Sequence, residues 1–225
     1  LKAVLLYTRY FFYLAFNWNI PLAWFILKHE MRGEKKYGVS TTGIDDLSKS
    51  VAADERLHAS IYQPVNYYTA ETLMNQLTAA EKKGGFLDVG SGKGRVLAMA
   101  AAYGFTDITG IDFSAQLCHQ AILQADSIES RYQNACIAIE CIDARNFEIA
   151  PSISVIFMFN PFDDLVMQDF LKQVSKTLYH KPRKIKILYA NPVCRKQLLN
   201  VGFSEVFNFK KLQYLEGSVF ESPDN

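Results

Sequence analysis

The residues best able to do chemistry in this sequence gather behind one short apolar run. Residues 86–95 read FLDVGSGKGR, with Gly90, Gly92 and Gly94 at alternating positions, Ser91 between the first two, and Asp88 just ahead. Glycines permit a tight turn and let backbone approach a ligand closely. The start of the apolar helix that follows offers unpaired N–H groups. A P-loop would need GxxxxGK[ST], which the segment does not fit. The dinucleotide fingerprint GxGxxG or GxGxxA would need a small residue where Arg95 stands; the third glycine comes one position earlier. Asp88 either lends a carboxylate to the ligand or only ties down the glycine loop. Asp112, in GIDFS at 110–114, can accept hydrogen bonds from both hydroxyls of a ribose; the plainer alternative is a residue that merely opens a helix. Asp143, in CIDA at 141–144, and Asn160, in NPF at 160–162, close two more apolar runs. Their plain alternatives are a surface turn and an Asx loop. His29, His58, His119 and His180 lie in no such motif and are read as non-catalytic.

These positions need a scaffold that brings strand ends together. From residue 86 onward, apolar runs alternate with helical patterns. Strand-like segments fall at 86–89, 107–112, 136–142, 154–159 and 184–189, and helical ones at 95–102, 115–130, 164–178 and 195–200. Two closing strands are expected near 203–209 and 212–220. The run at 154–159 is continuously apolar, as in a strand buried on both faces. Strands alternating with helices imply parallel pairing with right-handed crossovers, a doubly wound α/β sheet. In such sheets ligands bind at the carboxyl ends of the strands.

DVGSGKG after a strand resembles the first motif of class I S-adenosylmethionine-dependent methyltransferases, and the acids ending the second and third strands agree in order. The resemblance implies a Rossmann-like seven-stranded sheet and S-adenosyl-L-methionine as cofactor, with no metal. It implies a cofactor site built from Asp88, Gly90, Ser91, Gly92, Gly94, Asp112, Phe113, Asp143, Ala144 and Asn160, Asp143 accepting from the adenine amino group. Asn160 and Phe162 would face the acceptor as catalytic residues, the amide orienting a nucleophile and the ring forming a wall or cation–π face. Tyr62 and Thr42 would close over the donor from the N-terminal side. A narrower resemblance, to a bacterial branch carrying GVDT, YxPS, GSGKGR, YNPF and YNP blocks, extends over residues 37–192. Ser40, Val65 and Phe159 depart from that pattern. The GSGKGR block is also similar to lysine methyltransferases that use this fold, so a protein lysine is the favoured acceptor. Small-molecule, lipid and nucleic-acid acceptors remain as alternatives, as does a non-catalytic S-adenosylmethionine-binding module. An NAD-dependent oxidoreductase is the remaining rival.

Composition frames the rest. The chain has 225 residues, 49% hydrophobic and 21% charged, with a formal net charge of +1; that is globular and gives no bulk charge for nucleic acid. Eight basic residues between 181 and 211 form either a phosphate-binding face or a solvated surface. The four cysteines show no CxxC pair and read as reduced thiols, as in the cytoplasm. Three segments are expected: an apolar helical extension (1–36), a linker with a helix (37–80) and the catalytic domain (81–225). Residues 28–60 are mixed and polar and read as linker. Residues 10–27 carry no charge, but eight of the eighteen are aromatic, and Asn17, Asn19 and Pro21 interrupt them. Three readings follow: two helices packed on the domain or on a second copy, peripheral membrane contact through residues 1–27, or a span. A signal peptide is disfavoured, because no small-residue cleavage site follows.

Overall fold

Asn19 and Pro21, the residues that weaken a spanning helix, divide the N-terminal segment in two. In the computed structural model, which describes residues 2–42, 63–160 and 163–223, helix α1 (Lys2–Asn17) and helix α2 (Ile20–Tyr37) form a hairpin. The Asn19 side chain accepts from the Leu22 N–H at 2.8 Å, and Pro21 lies in the first turn, where a missing N–H costs nothing. No helix among the described residues is long and apolar enough to cross a membrane. The linker reading of residues 28–60 is corrected at its start. α2 continues to Tyr37 because Glu30, Gly33 and Tyr37 share its buried face, and Gly38 ends it at φ 75°.

Helix α3 (Tyr67–Met74) is capped by Asn66 and ends before Leu77, although Tyr67, Leu73, Met74 and Leu77 stand near helical spacing. The alternation then runs as expected: β1 (Gly85–Val89), α4 (Arg95–Ala102), β2 (Asp107–Asp112), α5 (Ala115–Arg131), β3 (Cys136–Cys141), β4 (Ile153–Phe159), α6 (Asp164–His180), β5 (Lys186–Ala190), α7 (Arg195–Asn200), β6 (Ser204–Lys211) and β7 (Leu215–Glu221). The seven strands order as β3-β2-β1-β4-β5-β7-β6. The first five are parallel; β7 enters antiparallel beside β5, and β6 pairs antiparallel with β7.

Both faces of the central strands are covered, which is why they read as unbroken apolar runs. Phe86, Val155 and Phe157 face the layer holding α3 and α4. Leu87, Val89, Ile156 and Met158 face the opposite layer, where α6 lays down Val166, Met167, Phe170, Leu171, Val174 and Leu178. Each such buried side chain contributes about 1.5–3 kcal/mol. The hairpin has a core of its own, with Tyr10, Leu14, Leu22, Ala23 and Ile26 closing on Leu215. A Cβ at Gly33 would lie 2.2 Å from the Tyr67 ring, so this glycine sets how closely α2 approaches α3.

Candidate active site

The glycine turn leaves β1 with Gly90, Gly92 and Gly94 at φ 75°, 54° and 84°, a region that most L-residues avoid. Strand β2 pins it: the N–H groups of Gly90 and Ser91 both donate to the Ile111 carbonyl at 2.9 Å. Asp112 completes the hold. Its Oδ2 accepts from Gly92 N–H and its Oδ1 from Ser114 N–H, each at 2.9 Å. Every carboxylate oxygen can accept more than one hydrogen bond, so this grip leaves capacity for a ligand. Burial raises the Asp112 pKa, and the surrounding N–H groups pull it back.

Asp88 sits beneath the turn, between Gly110 of β2 and Phe157 of β4. Burial first, and the Asp112 charge second, push its pKa well above the ordinary carboxylate range. Its Oδ2 is buried with no hydrogen-bond partner among the described residues, and so is the Ser91 hydroxyl. Buried polar groups are rarely left this way, so two of them at one turn mark unmet hydrogen-bonding capacity there.

Asp143 follows the end of β3. Arg145 already holds it: the Arg145 backbone N–H donates to Oδ1 at 2.8 Å and Nε reaches both oxygens at 3.1 and 2.9 Å. An adenine amino group would share this carboxylate with Arg145. Ala144 is partly buried against the sheet's second apolar layer. Phe113 lies between Asp112 and Ser114, the residue that caps α5. Asn160 ends β4 at φ 39°, and Asn191 ends the neighbouring β5 at φ 51°. Asn tolerates this region better than most side chains. The turn, Asp112, Asp143 and Asn160 thus lie at the carboxyl ends of four adjacent strands, with Asp88 inside β1. Tyr62 and Phe162 lie outside the described residues, as does His58.

Thr42 is drawn into a buried network, where its hydroxyl donates to Glu34 at 2.6 Å. The centre of that network is Arg95, the first residue after the turn. Its Nη1 donates to Glu30 at 2.9 Å and to the Val65 carbonyl at 2.7 Å. Nε donates to Thr41 at 2.7 Å, and Nη2 reaches Glu30 at 2.7 Å. The guanidinium lies 4.1 Å above the Tyr67 ring. In the sequence Arg95 stands out as a break in the dinucleotide fingerprint and as the end of the GSGKGR block, not as the centre of a buried network. The available signal was a single acid, Glu30, ending an acid-free stretch of 29 residues. The basic run at 181–211 is partly consumed internally. Lys186 pairs with Glu81 and Glu221, Arg195 with Glu205, Lys210 with Glu216, and Arg183 donates to four carbonyls.

Residues 87–181 match the sequence profile of a methyltransferase domain. No curated protein matches the sequence. Among solved structures, the chain is similar to magnesium protoporphyrin IX methyltransferase from Synechocystis PCC 6803 with bound S-adenosylmethionine, at 15% identity over 87% of this chain and 91% of that one, with a TM-score of 0.51. It is also similar to the ribosomal protein L11 methylase of Lactobacillus delbrueckii subsp. bulgaricus (16% identity, 73% and 91% covered, TM-score 0.53). A third is an S-adenosylmethionine-dependent O-methyltransferase from Thermotoga maritima (11% identity, 73% and 68% covered, TM-score 0.55). The fold is therefore the Rossmann-like α/β fold of class I methyltransferases, with two helices added at the N-terminus. A methyltransferase domain implies S-adenosylmethionine as its cofactor.

Proposed function

We infer that the chain is an S-adenosylmethionine-dependent methyltransferase acting on a nucleophilic amine, with a protein lysine side chain as the favoured acceptor. One observation carries the reading. A glycine turn with two unmet buried polar groups, Asp88 Oδ2 and Ser91 Oγ, stands beside Asp112 at the carboxyl edge of a methyltransferase-type sheet. That donor set fits the cofactor: glycine backbone beneath it, Asp112 for the ribose hydroxyls, and Asp143 with Ala144 for the base.

The cofactor supplies a methyl group already activated on a sulfonium, so the protein has little covalent chemistry to perform. Its work is binding, alignment and exclusion of water. Asn160, fixed by its φ of 39° at the end of β4, orients the acceptor nitrogen through its side-chain carbonyl. The resemblance gives Phe162, outside the described residues, the role of an apolar face for the amine. The lysine ammonium first loses one proton to solvent, which frees the nitrogen lone pair; the nitrogen–methyl bond then forms as the sulfur–methyl bond breaks, leaving a methylammonium and the neutral thioether. The lysine acceptor is supported by the GSGKGR resemblance alone.

The test is transfer of labelled methyl to cell extract, followed by separation of protein, nucleic acid and lipid. Label in protein that appears as methyl-lysine after hydrolysis supports the reading. Label confined to lipid, nucleic acid or small molecules overturns the lysine acceptor. Cofactor binding without any transfer makes the chain a sensor or scaffold.

A further inference from the structure

We propose that the α1–α2 hairpin docks this protein onto the surface of an anionic lipid bilayer, with its tip seated among the headgroups. The proposal goes beyond methyl transfer and does not depend on it.

The hairpin turns its inner stripe, Tyr10, Leu14, Leu22 and Ile26, toward the domain. Its outward side also carries large apolar side chains. Phe12 and Phe16 on α1 and Ile20 and Trp24 on α2 follow helical spacing on either side of the Trp18–Asn19 connector. Phe16 is 85% exposed, Ile20 66% and Trp24 65%. Aromatic contacts brace this end, Phe12 against Phe16 at 6.4 Å, Phe11 against Trp24 at 6.3 Å and Tyr13 against Trp18 at 6.1 Å. An exposed apolar patch of this kind marks an interaction surface.

Charge selects the occupant. Behind the tip stand exposed Arg9, Lys28 and Arg32. The first 29 residues contain no acid. The first two acids that follow point inward, Glu30 to Arg95 and Glu34 to Tyr7, Thr41 and Thr42. An aromatic tip with a basic collar suits an interface that is apolar below and anionic above. Neither helix is long and apolar enough to span, so the hairpin lies in the headgroup region.

The two tryptophans of the chain, Trp18 and Trp24, both lie on this hairpin, and their emission reports the event. The full chain is titrated with vesicles of phosphatidylcholine alone and of phosphatidylcholine with phosphatidylglycerol, with co-sedimentation measured in parallel. The expected result is a shift of emission to shorter wavelength and sedimentation with the anionic vesicles, both weakened by salt. Lys28→Glu and Arg32→Glu each lower the partition coefficient by about fivefold or more. Phe16→Ser with Ile20→Ser lowers it by about a hundredfold while the thermal midpoint holds, because both side chains are exposed. Unchanged emission and no sedimentation with anionic vesicles would overturn the proposal. So would equal, salt-insensitive binding to neutral vesicles, or a dimer in light scattering that Phe16→Ser with Ile20→Ser dissociates.

Discussion

Asp88 and Asp112 place two carboxyl groups under one glycine turn, and their chemistry is visible in proton linkage. In an unfolded chain each titrates near about 3.9. In the folded protein burial raises both, Asp88 furthest. The folded state therefore holds a proton that the unfolded chain releases, and stability falls as pH rises. The stabilisation is complete below the unfolded value and is lost as pH climbs through the raised one. The urea midpoint of the cofactor-free protein is expected to decline from acidic toward neutral pH. Asp88→Asn should flatten that decline, and an unaltered slope in the variant would contradict the burial argument. In the proposed reading Asn160 serves chiefly to align the acceptor. Asn160→Ala should lower kcat by about 10–100-fold, the scale of a misplaced nucleophile, with a smaller change in cofactor affinity. Single-turnover transfer beside cofactor titration separates the two effects. The place of Asp112 at a strand end was legible in the sequence. Its hold on the Gly92 and Ser114 N–H groups was not, because backbone donors leave no trace in residue type.

The hairpin and the turn are joined as elements by Arg95. The guanidinium and the Glu30 carboxylate are both buried, and removing Glu30 takes away the opposite charge that the buried Arg95 faces. Glu30→Ala should cost about 3–5 kcal/mol, measured by urea denaturation, and an effect below about 1 kcal/mol would show the pair to be dispensable. The loss should also loosen the turn, since Arg95 is the first residue of α4 after Gly94. The two-helix break was readable because Asn19 and Pro21 carry local signals for capping and helix entry. The extent of α2 was not. Glu30 and the lysines after it look polar in sequence, and only a partner 65 positions away makes Glu30 an inward residue. α3 stops at Met74 although apolar spacing continues to Leu77, which is buried from the turn that follows. Spacing reports which residues are inside, not which backbone carries them.

At the scale of the molecule, strands buried on both faces made the alternation clear, and the element order follows it closely. Sheet order was less legible. Nothing in residues 204–221 says that β7 slips between β5 and β6 and runs antiparallel to β5, because pairing partners are chosen by the whole sheet. The acceptor is the least legible part, since strand ends specify where a ligand lies and the surrounding loops choose which one enters. The central claim is that the carboxyl edge of this sheet binds S-adenosylmethionine over the glycine turn. Isothermal calorimetry of the full chain tests it most directly. One-to-one binding of S-adenosylmethionine and of its demethylated product is expected, weakened at least tenfold in Asp112→Ala through loss of charge-assisted hydrogen bonds. No heat with either ligand, together with binding of a nicotinamide dinucleotide, would contradict it.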